Sequence, residues 1–206
     1  GRAGNLDIWF VEKNKSGWSE PKNIGSPINS EFIEVNPCLT RDGTLYFSSK
    51  RPGGFGSYDI YQSQFISGKY TEPENLGEPI NSSDFESSPY VAPEGSYIIH
   101  NVFVGTKSET QSGLHIAFRR EDGTWTQTKN MGEAINEKKP AMFAFVSYDG
   151  RHLFFTSDKV PYLPYSGKPL TYEEITQMFN SHQNGSGDIY WVDAKIMNQL
   201  RPEELK

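Results

Sequence analysis

Apolar side chains fall in short bursts along the chain, rich in aromatic and β-branched residues and bounded by Gly, Pro, Asn and Asp. Examples are Leu45-Tyr46-Phe47, Ile60-Tyr61, Tyr97-Ile98-Ile99 and Leu153-Phe154-Phe155. Bursts of this length between turn signals predict β-strands rather than helices. Residues 36–61 show the unit. Asp42-Gly43 makes a tight hairpin turn, Leu45-Tyr46-Phe47 follows as a strand, Pro52-Gly53-Gly54 breaks the run, and Asp59-Ile60-Tyr61 opens the next strand.

The unit repeats. Trp18 begins W-S-E-P-K-N-I-G-S-P-I-N-S, Tyr70 begins Y-T-E-P-E-N-L-G-E-P-I-N-S, and Trp125 begins W-T-Q-T-K-N-M-G-E-A-I-N-E, at spacings of 52 and 55 residues. The hairpin turns Asp42-Gly43, Glu94-Gly95 and Asp149-Gly150 keep the same offsets, and Leu45-Tyr46-Phe47 aligns with Tyr97-Ile98-Ile99 and Leu153-Phe154-Phe155. A further strand occurs four times, at Asp7-Ile8-Trp9, Asp59-Ile60-Tyr61, His115-Ile116-Ala117 and Asp188-Ile189-Tyr190, with His115 in the place of the repeated Asp. Each period holds four strands, A to D, spanning 35–40, 44–49, 59–65 and 69–76 in the first complete copy. Strands A and B alternate poorly and read as buried on both faces. Four antiparallel strands every ~50 residues predict an all-β fold, a β-propeller of four-stranded blades. Residues 1–206 form a single domain on this reading, with about three and a half blades, fewer than the ~4 to 8 of known propellers. The expectation is that the sequence starts inside a larger ring.

Composition supports strands and narrows the partners. Aromatic residues make up 14% of the chain and the formal charge is −6, with both signs interspersed and no Lys/Arg block to hold nucleic acid or an anionic membrane. No apolar run approaches the ~18 residues of a transmembrane helix. Cys38 is the single cysteine, which excludes an internal disulfide and a thiolate cluster, and its apolar strand predicts core packing.

The pattern D-G-x-L-Y-F-S-S-x-R-x-G-G-x-G-x-x-D-I-Y, followed by G-x-W/Y-x-x-P-x-N-L-G-x-x-I-N-S, resembles the TolB-type β-propeller repeats of exported bacterial proteins. The matching residues are Asp42-Gly43, Tyr46-Phe47-Ser48-Ser49, Arg51, Gly53-Gly54, Asp59-Ile60-Tyr61 and Asn75-Leu76-Gly77, and G-S-G-D-I-Y-W-V-D-A-K at the end is similar to that family's C-terminus. Such repeats occur alone in lipoproteins or fused to OmpA-like peptidoglycan-binding domains. The resemblance implies a periplasmic or cell-surface scaffold with a protein partner.

Between residues 158 and 187 lies an insertion in the last blade. Thr171 with Glu174 makes a capping box and Leu170 with Ile175 a hydrophobic staple, which predicts a helix over 172–180. Ile175, Met178 and Phe179 share one face of it, expected to pack on the propeller. Residues 194–206 suit either a final helix or an extended tail.

Strand connectivity puts the tight A-to-B and C-to-D turns on one face and the long D-to-A and B-to-C loops on the other, so the long-loop face is the expected contact surface. The candidate ligand residues there are Glu34, Arg51, Asp59, Glu86, Asn101, Asp158 and Asp188. Glu34 and Glu86 occupy equivalent positions at the start of strand A, beside the expected channel. Paired carboxylates there suit a cation or acid–base chemistry; the plainer reading pairs each with Lys50 or Arg51, because the third copy has Ala141. Asp7, Asp59 and Asp188 follow turns and suit capping of backbone N–H groups. His100, His115, His152 and His182 show no metal-ligand spacing, and no G-x-S-x-G elbow or D-x-D-x-D-G loop exists. Trp18, Tyr70 and Trp125 read as repeat packing. The sequence thus predicts a non-catalytic extracytoplasmic binding or scaffolding module, without cofactor or metal, contacting a protein or a cell-envelope polysaccharide. The alternative is a carbohydrate-active enzyme working through Glu34 and Glu86.

Overall fold

The computed structural model describes residues 6–105, 112–136, 141–157, 169–180 and 187–206. They are mostly β, in antiparallel sheets that follow one another along the chain. In the first, β1 (Trp9–Phe10) pairs with β4 (Lys22–Asn23), and β2 (Lys13–Asn14) with β3 (Gly17–Trp18) makes a small hairpin between them. The next contains β5 (Glu34–Leu39), β6 (Leu45–Ser49) and β7 (Asp59–Ser63). A second small hairpin, β8 (Phe65–Ile66) with β9 (Lys69–Tyr70), precedes β10 (Glu74–Asn75), and the four-stranded order is β10-β7-β6-β5. The third sheet, β11 (Phe85–Val91), β12 (Tyr97–Phe103), β13 (Gly113–Phe118) and β14 (Lys129–Asn130), is also four-stranded and leads into a helical turn α1 (Glu133–Asn136). The last, β15 (Met142–Val146), β16 (His152–Ser157) and β17 (Asp188–Asp193), has three strands. Among the described residues, no strand pairing joins the last sheet to the first.

The expected continuous D strand is broken. The chain turns at Ser67-Gly68, with φ of +51° and +84°, and Pro73 offers no N–H to the ladder, so only Glu74 and Asn75 return to β7. Burial on both faces holds for the middle strand β6, whose five residues are all buried, and for the inside of β12. It fails for β5 and β15, which expose alternate residues such as Leu39 and Phe143.

Three apolar clusters lie between successive sheets. Ile8, Ile28, Leu45, Phe47 and Tyr61 form one, Tyr46, Ile60, Ile80, Ile98 and Trp125 are in the second, and Ile99, Leu114, Ile116 and Phe118 are in the largest. Leu45 and Phe47 point to one side of β6 and Tyr46 to the other, which is the period-2 alternation of a strand packed on both faces. Cys38 is half-buried at the edge of the second cluster, its thiol beside the Val91 backbone. Trp125 is buried under Arg119, whereas Trp18 is 67% exposed, so this repeated position packs in one copy and stands in solvent in another.

The repeated I-N dipeptide has a physical task. Asn81 is buried, its Oδ1 accepts from Ile60 N (2.8 Å), and its Nδ2 donates to Ile60 O (2.8 Å) and to Asn75 Oδ1 (2.7 Å). Asn29 makes the same bonds to Ile8 and Asn23, and Asn136 to Leu114 and Asn130. Each amide stands in for a neighbouring strand at the point where D gives way to the next A.

The first strands of the three later sheets are also alike. β5, β11 and β15 each carry a bulge, between Val35 and Cys38, Ser87 and Tyr90, and Met142 and Phe145, and Asn36, Ser88 and Phe143 each have φ of +53°. The bulge turns an amide toward the preceding sheet. Ser88 N donates to Ser48 Oγ (3.1 Å) and Phe143 N to Asn101 Oδ1 (3.2 Å), bonds that offset the left-handed backbone.

Helix α2 (Tyr172–Asn180) has the expected bounds, and the capping box is formed: Glu174 N donates to Thr171 Oγ1 (3.2 Å) and Thr171 N to Glu174 Oε2 (2.8 Å). Its expected docking is not observed for Ile175, which is 37% exposed, as is Leu170 at 44%; the side chains of Met178 and Phe179 lie outside the described residues. The C-terminal segment is helical, with α3 (Ile196–Leu200) and a short 3-10 turn packing Met197, Leu200 and Leu205 against the largest cluster. No helix among the described residues is long and apolar enough to cross a membrane.

Replacing Asn81 by Ala strands the buried N–H of Ile60 and leaves its C=O with Leu76 N as the remaining donor. We expect unfolding free energy to fall by about 2–4 kcal/mol, read by urea denaturation; a loss below about 0.5 kcal/mol, the level of an ordinary surface change, would contradict the clamp.

Candidate functional site

Glu34 starts β5 and is buried. The amide and hydroxyl of Ser30 donate to its carboxylate at 3.0 and 2.6 Å, and Ser49 Oγ donates at 2.9 Å. Arg51 completes the set: its Nη2 lies 3.2 Å from Glu34 Oε1 and 2.6 Å from Ile28 O. The guanidinium sits 5.2 Å from the ring centre of Phe47 and 5.0 Å from that of Tyr61, within cation–π range. A buried charge here is paired and fully bonded, and the slot is filled.

Glu86 starts β11 and is buried to the same degree. Ser82 donates through its amide (3.0 Å) and hydroxyl (2.6 Å), as Ser30 does to Glu34. The other partners have changed. Glu34 lies opposite Ser49, whereas Glu86 lies opposite Val102. Two residues beyond, Val104 takes the place of Arg51. The stacked pair Phe47–Tyr61 is replaced across β12 and β13 by His100–His115, with ring centres 6.2 Å apart, and returns in the last sheet as Phe155–Tyr190.

The consequence is a cavity of about 330 Å³. Ile80, Ser82, Asp84, Glu86, Val104 and His115 are among its lining, and among the described residues no Lys or Arg is. Burial pushes the Glu86 carboxyl up to about 7. The two Ser82 hydrogen bonds pull it down by less than burial raises it, and the negative charges of Asp59 and Asp84 raise it further. Asn130 Nδ2 lies 3.3 Å from His115 Nε2, which ties that imidazole to the cavity wall. His100, behind it, is wholly buried without a hydrogen bond to either ring nitrogen, and burial drives it down to about 3, so it is neutral.

This geometry corrects the alignment of the copies. The turn before β12 is one residue longer than that before β6: Thr40 N donates to Thr44 O, but Ala92 N donates to Tyr97 O. Residues of β12 therefore shift by one, so that Ile98, not Tyr97, matches Leu45. Gly113, not His115, takes the place of Asp59, and His115 takes that of Tyr61. Gly113 has φ of +124° and a Cβ there would lie 2.3 Å from Asn136 Oδ1, so the backbone of this copy requires glycine where Asp59 stands beside the same clamp in the preceding sheet.

The remaining predicted residues do different things. Asp59 is buried and accepts from Phe55 N (3.0 Å) and Gly56 N (3.3 Å), holding the Pro52–Tyr58 loop; a Cβ on Gly54 would strike its carboxylate and one on Gly56 the Asp84 carbonyl, which explains the Gly-rich loop. Asn101 is buried and ties two sheets, its Nδ2 donating to Ala141 O (3.0 Å) and its Oδ1 accepting from Phe143 N. Asp188 pairs with Ser157 in the last sheet, apart from the cavity. Asp158 lies outside the described residues. Glu34 and Glu86 are separately housed and do not form one pair. Asp84, Ser82 and His115 belong to the site without having been singled out for it. No group of three or more metal-ligating side chains stands together among the described residues.

No protein-family model and no curated protein matches this chain. Among solved structures it is similar to an alpha-L-arabinofuranosidase from Lactobacillus brevis, with a TM-score of 0.52 and 14% identity over 87% of this chain. The match covers 57% of that structure's length. Likeness at this identity is likeness of fold. It corrects one expectation, that the chain has no enzymatic role: the fold that it shares with this neighbour houses a catalyst, so the lack of a nucleophile motif is no argument against catalysis.

Between the ordinary carboxylate range and about 7, folded Glu86 keeps a proton that the unfolded chain has lost, so stability falls as pH rises through that window. Urea denaturation at pH 5 and pH 8 is expected to show wild type losing about 1–3 kcal/mol more than Glu86→Gln. Equal losses would mean that Glu86 titrates normally.

Proposed function

We propose that the successive sheets are blades of a β-propeller of the TolB-type repeat family, and that the Glu86 cavity is the centre of a carbohydrate-active site. The observation that carries this reading is that Glu86 keeps its buried position but has lost the Arg51-type partner that neutralises Glu34. An arginine-paired carboxylate is structural; an unpaired buried carboxyl beside a cavity is a proton donor in waiting.

Cleavage of a glycosidic bond needs a proton delivered to the departing oxygen and negative charge near the oxocarbenium-like centre. Glu86, held near neutrality, supplies the proton. Asp84, on the same cavity wall, supplies the charge, and either it or Glu86 after proton transfer accepts a proton from the incoming water. Val102 and Val104 keep the carboxyl desolvated. The fold neighbour, an arabinofuranosidase, supports a sugar ligand. The Asp42-Gly43 turns, the Arg51-Pro52-Gly53-Gly54 loop and the I-N-S repeats support the TolB-type assignment, with an extracytoplasmic setting in which cell-envelope polysaccharide is the substrate class.

A panel of p-nitrophenyl glycosides, arabinofuranoside included, tests the proposal. Glu86→Gln is expected to lower kcat at least 100-fold on a cleaved glycoside while circular dichroism stays unchanged, and Asp84→Asn at least 10-fold. Failure of the wild type to cleave any glycoside, or full activity in Glu86→Gln, would refute it.

A further inference from the structure

We infer that the deep end of the Glu86 cavity is a socket for the guanidinium of an arginine side chain presented by another polypeptide. The template is in the same molecule. In the preceding sheet, a buried glutamate, a backbone carbonyl and two stacked rings hold the Arg51 guanidinium: Glu34 at 3.2 Å, Ile28 O at 2.6 Å, and the faces of Phe47 and Tyr61. The next sheet keeps the glutamate with its two Ser82 bonds, keeps the I-N turn with Ile80 in the place of Ile28, and has imidazoles at the two ring positions, His115 lining the cavity and His100 wholly buried behind it, tilted by 54°. It discards the arginine, and Val102 stands where Ser49 bonds the carboxylate of Glu34. Val104, three side-chain carbons in place of a long cationic arm, leaves the space that the guanidinium fills in its sister, and the cavity lies there.

Charge and access agree with that occupant. Glu86 and Asp84 line the cavity, Asp59 stands near enough to act on Glu86, and no basic side chain among the described residues lines it. Arg51 reaches its slot from the B-to-C loop on the long-loop face. The corresponding loop begins at Val104, and its described residues, Val104, Gly105 and Ser112, carry no cation. A guanidinium suits the site better than an ammonium, because its plane stacks on rings and its fork serves a carboxylate and a carbonyl together. The inference goes beyond the glycan reading and does not rest on it.

Calorimetric titration with N-acetyl-L-arginine N-methylamide, its lysine counterpart and glucosamine tests it at pH 8, where Glu86 is mostly ionised. The arginine compound is expected to bind at least tenfold tighter than either of the others. Val104→Arg, which supplies the side chain in cis, is expected to weaken that binding at least tenfold, and Glu86→Gln, nearly isosteric and suited to folding whatever Val104→Arg does, to do the same. Equal binding of glucosamine or the lysine compound, unaltered binding by Glu86→Gln or by folded Val104→Arg, or no binding by wild type would overturn the inference. Arginine binding without glycoside cleavage would uphold the socket and refute the glycosidase, and the reverse result would do the opposite.

Discussion

The structure depends on one recurring constraint: where a strand ends inside the protein, its backbone N–H and C=O still need partners. Beside the short β4, β10 and β14 the N–H groups of Ile8, Ile60 and Leu114 have no strand partner, and the side-chain oxygens of Asn29, Asn81 and Asn136 accept from them, while each Nδ2 adds a second donor to a C=O that also accepts from Ile24, Leu76 or Met131 N. An amide side chain is the one neutral group that presents both in a peptide-like geometry. Because the bond pair is fixed in space, what surrounds it is fixed as well. Asn23, Asn75 and Asn130 must offer an oxygen to the clamp.

With the frame held this way, positions beside it were able to diverge without loss of the sheet. Glu34 and Glu86 start equivalent strands, accept the same serine bonds and are equally buried, yet one has an arginine and the other two valines. Burial raises the cost of an ionised carboxylate in both, and only the first has a cation to offset it. The difference in chemistry thus comes from Val102, Val104 and the histidine pair rather than from the carboxylates. His100 shows the same logic in reverse. It fills an aromatic position at the cost of two unbonded ring nitrogens, and it answers that cost by staying neutral.

The bulges add a second layer of order. Asn36, Ser88 and Phe143 adopt the left-handed conformation although none is glycine, and a backbone of that kind persists only where neighbours over-determine it. Here the amides of Ser88 and Phe143 find side-chain acceptors in the preceding sheet, Ser48 and Asn101. Asn101, which reads as a ligand residue from its place in a long loop, is therefore a tie between sheets.

By itself the sequence determined the strand-and-turn grammar, the period near 50 residues, the sheet unit of four strands and the capped helix at Tyr172–Asn180, because these follow from local alternation, Gly and Asp turn chemistry and the 3.6-residue period. It also singled out Glu34, Arg51 and Glu86. Tertiary structure decided what they mean. A hairpin one residue longer before β12 moves the side chains of that strand by one place, and because strand faces alternate with period 2, the error hides Val104 as the substitute for Arg51; in β13 the copies differ by two places, so that Gly113 and not His115 matches Asp59. An unmatched length of one residue has no signature in hydrophobicity. The cavity is likewise invisible in sequence, since it is formed by what four separate segments fail to fill, and an empty volume exists only once the sheets are packed.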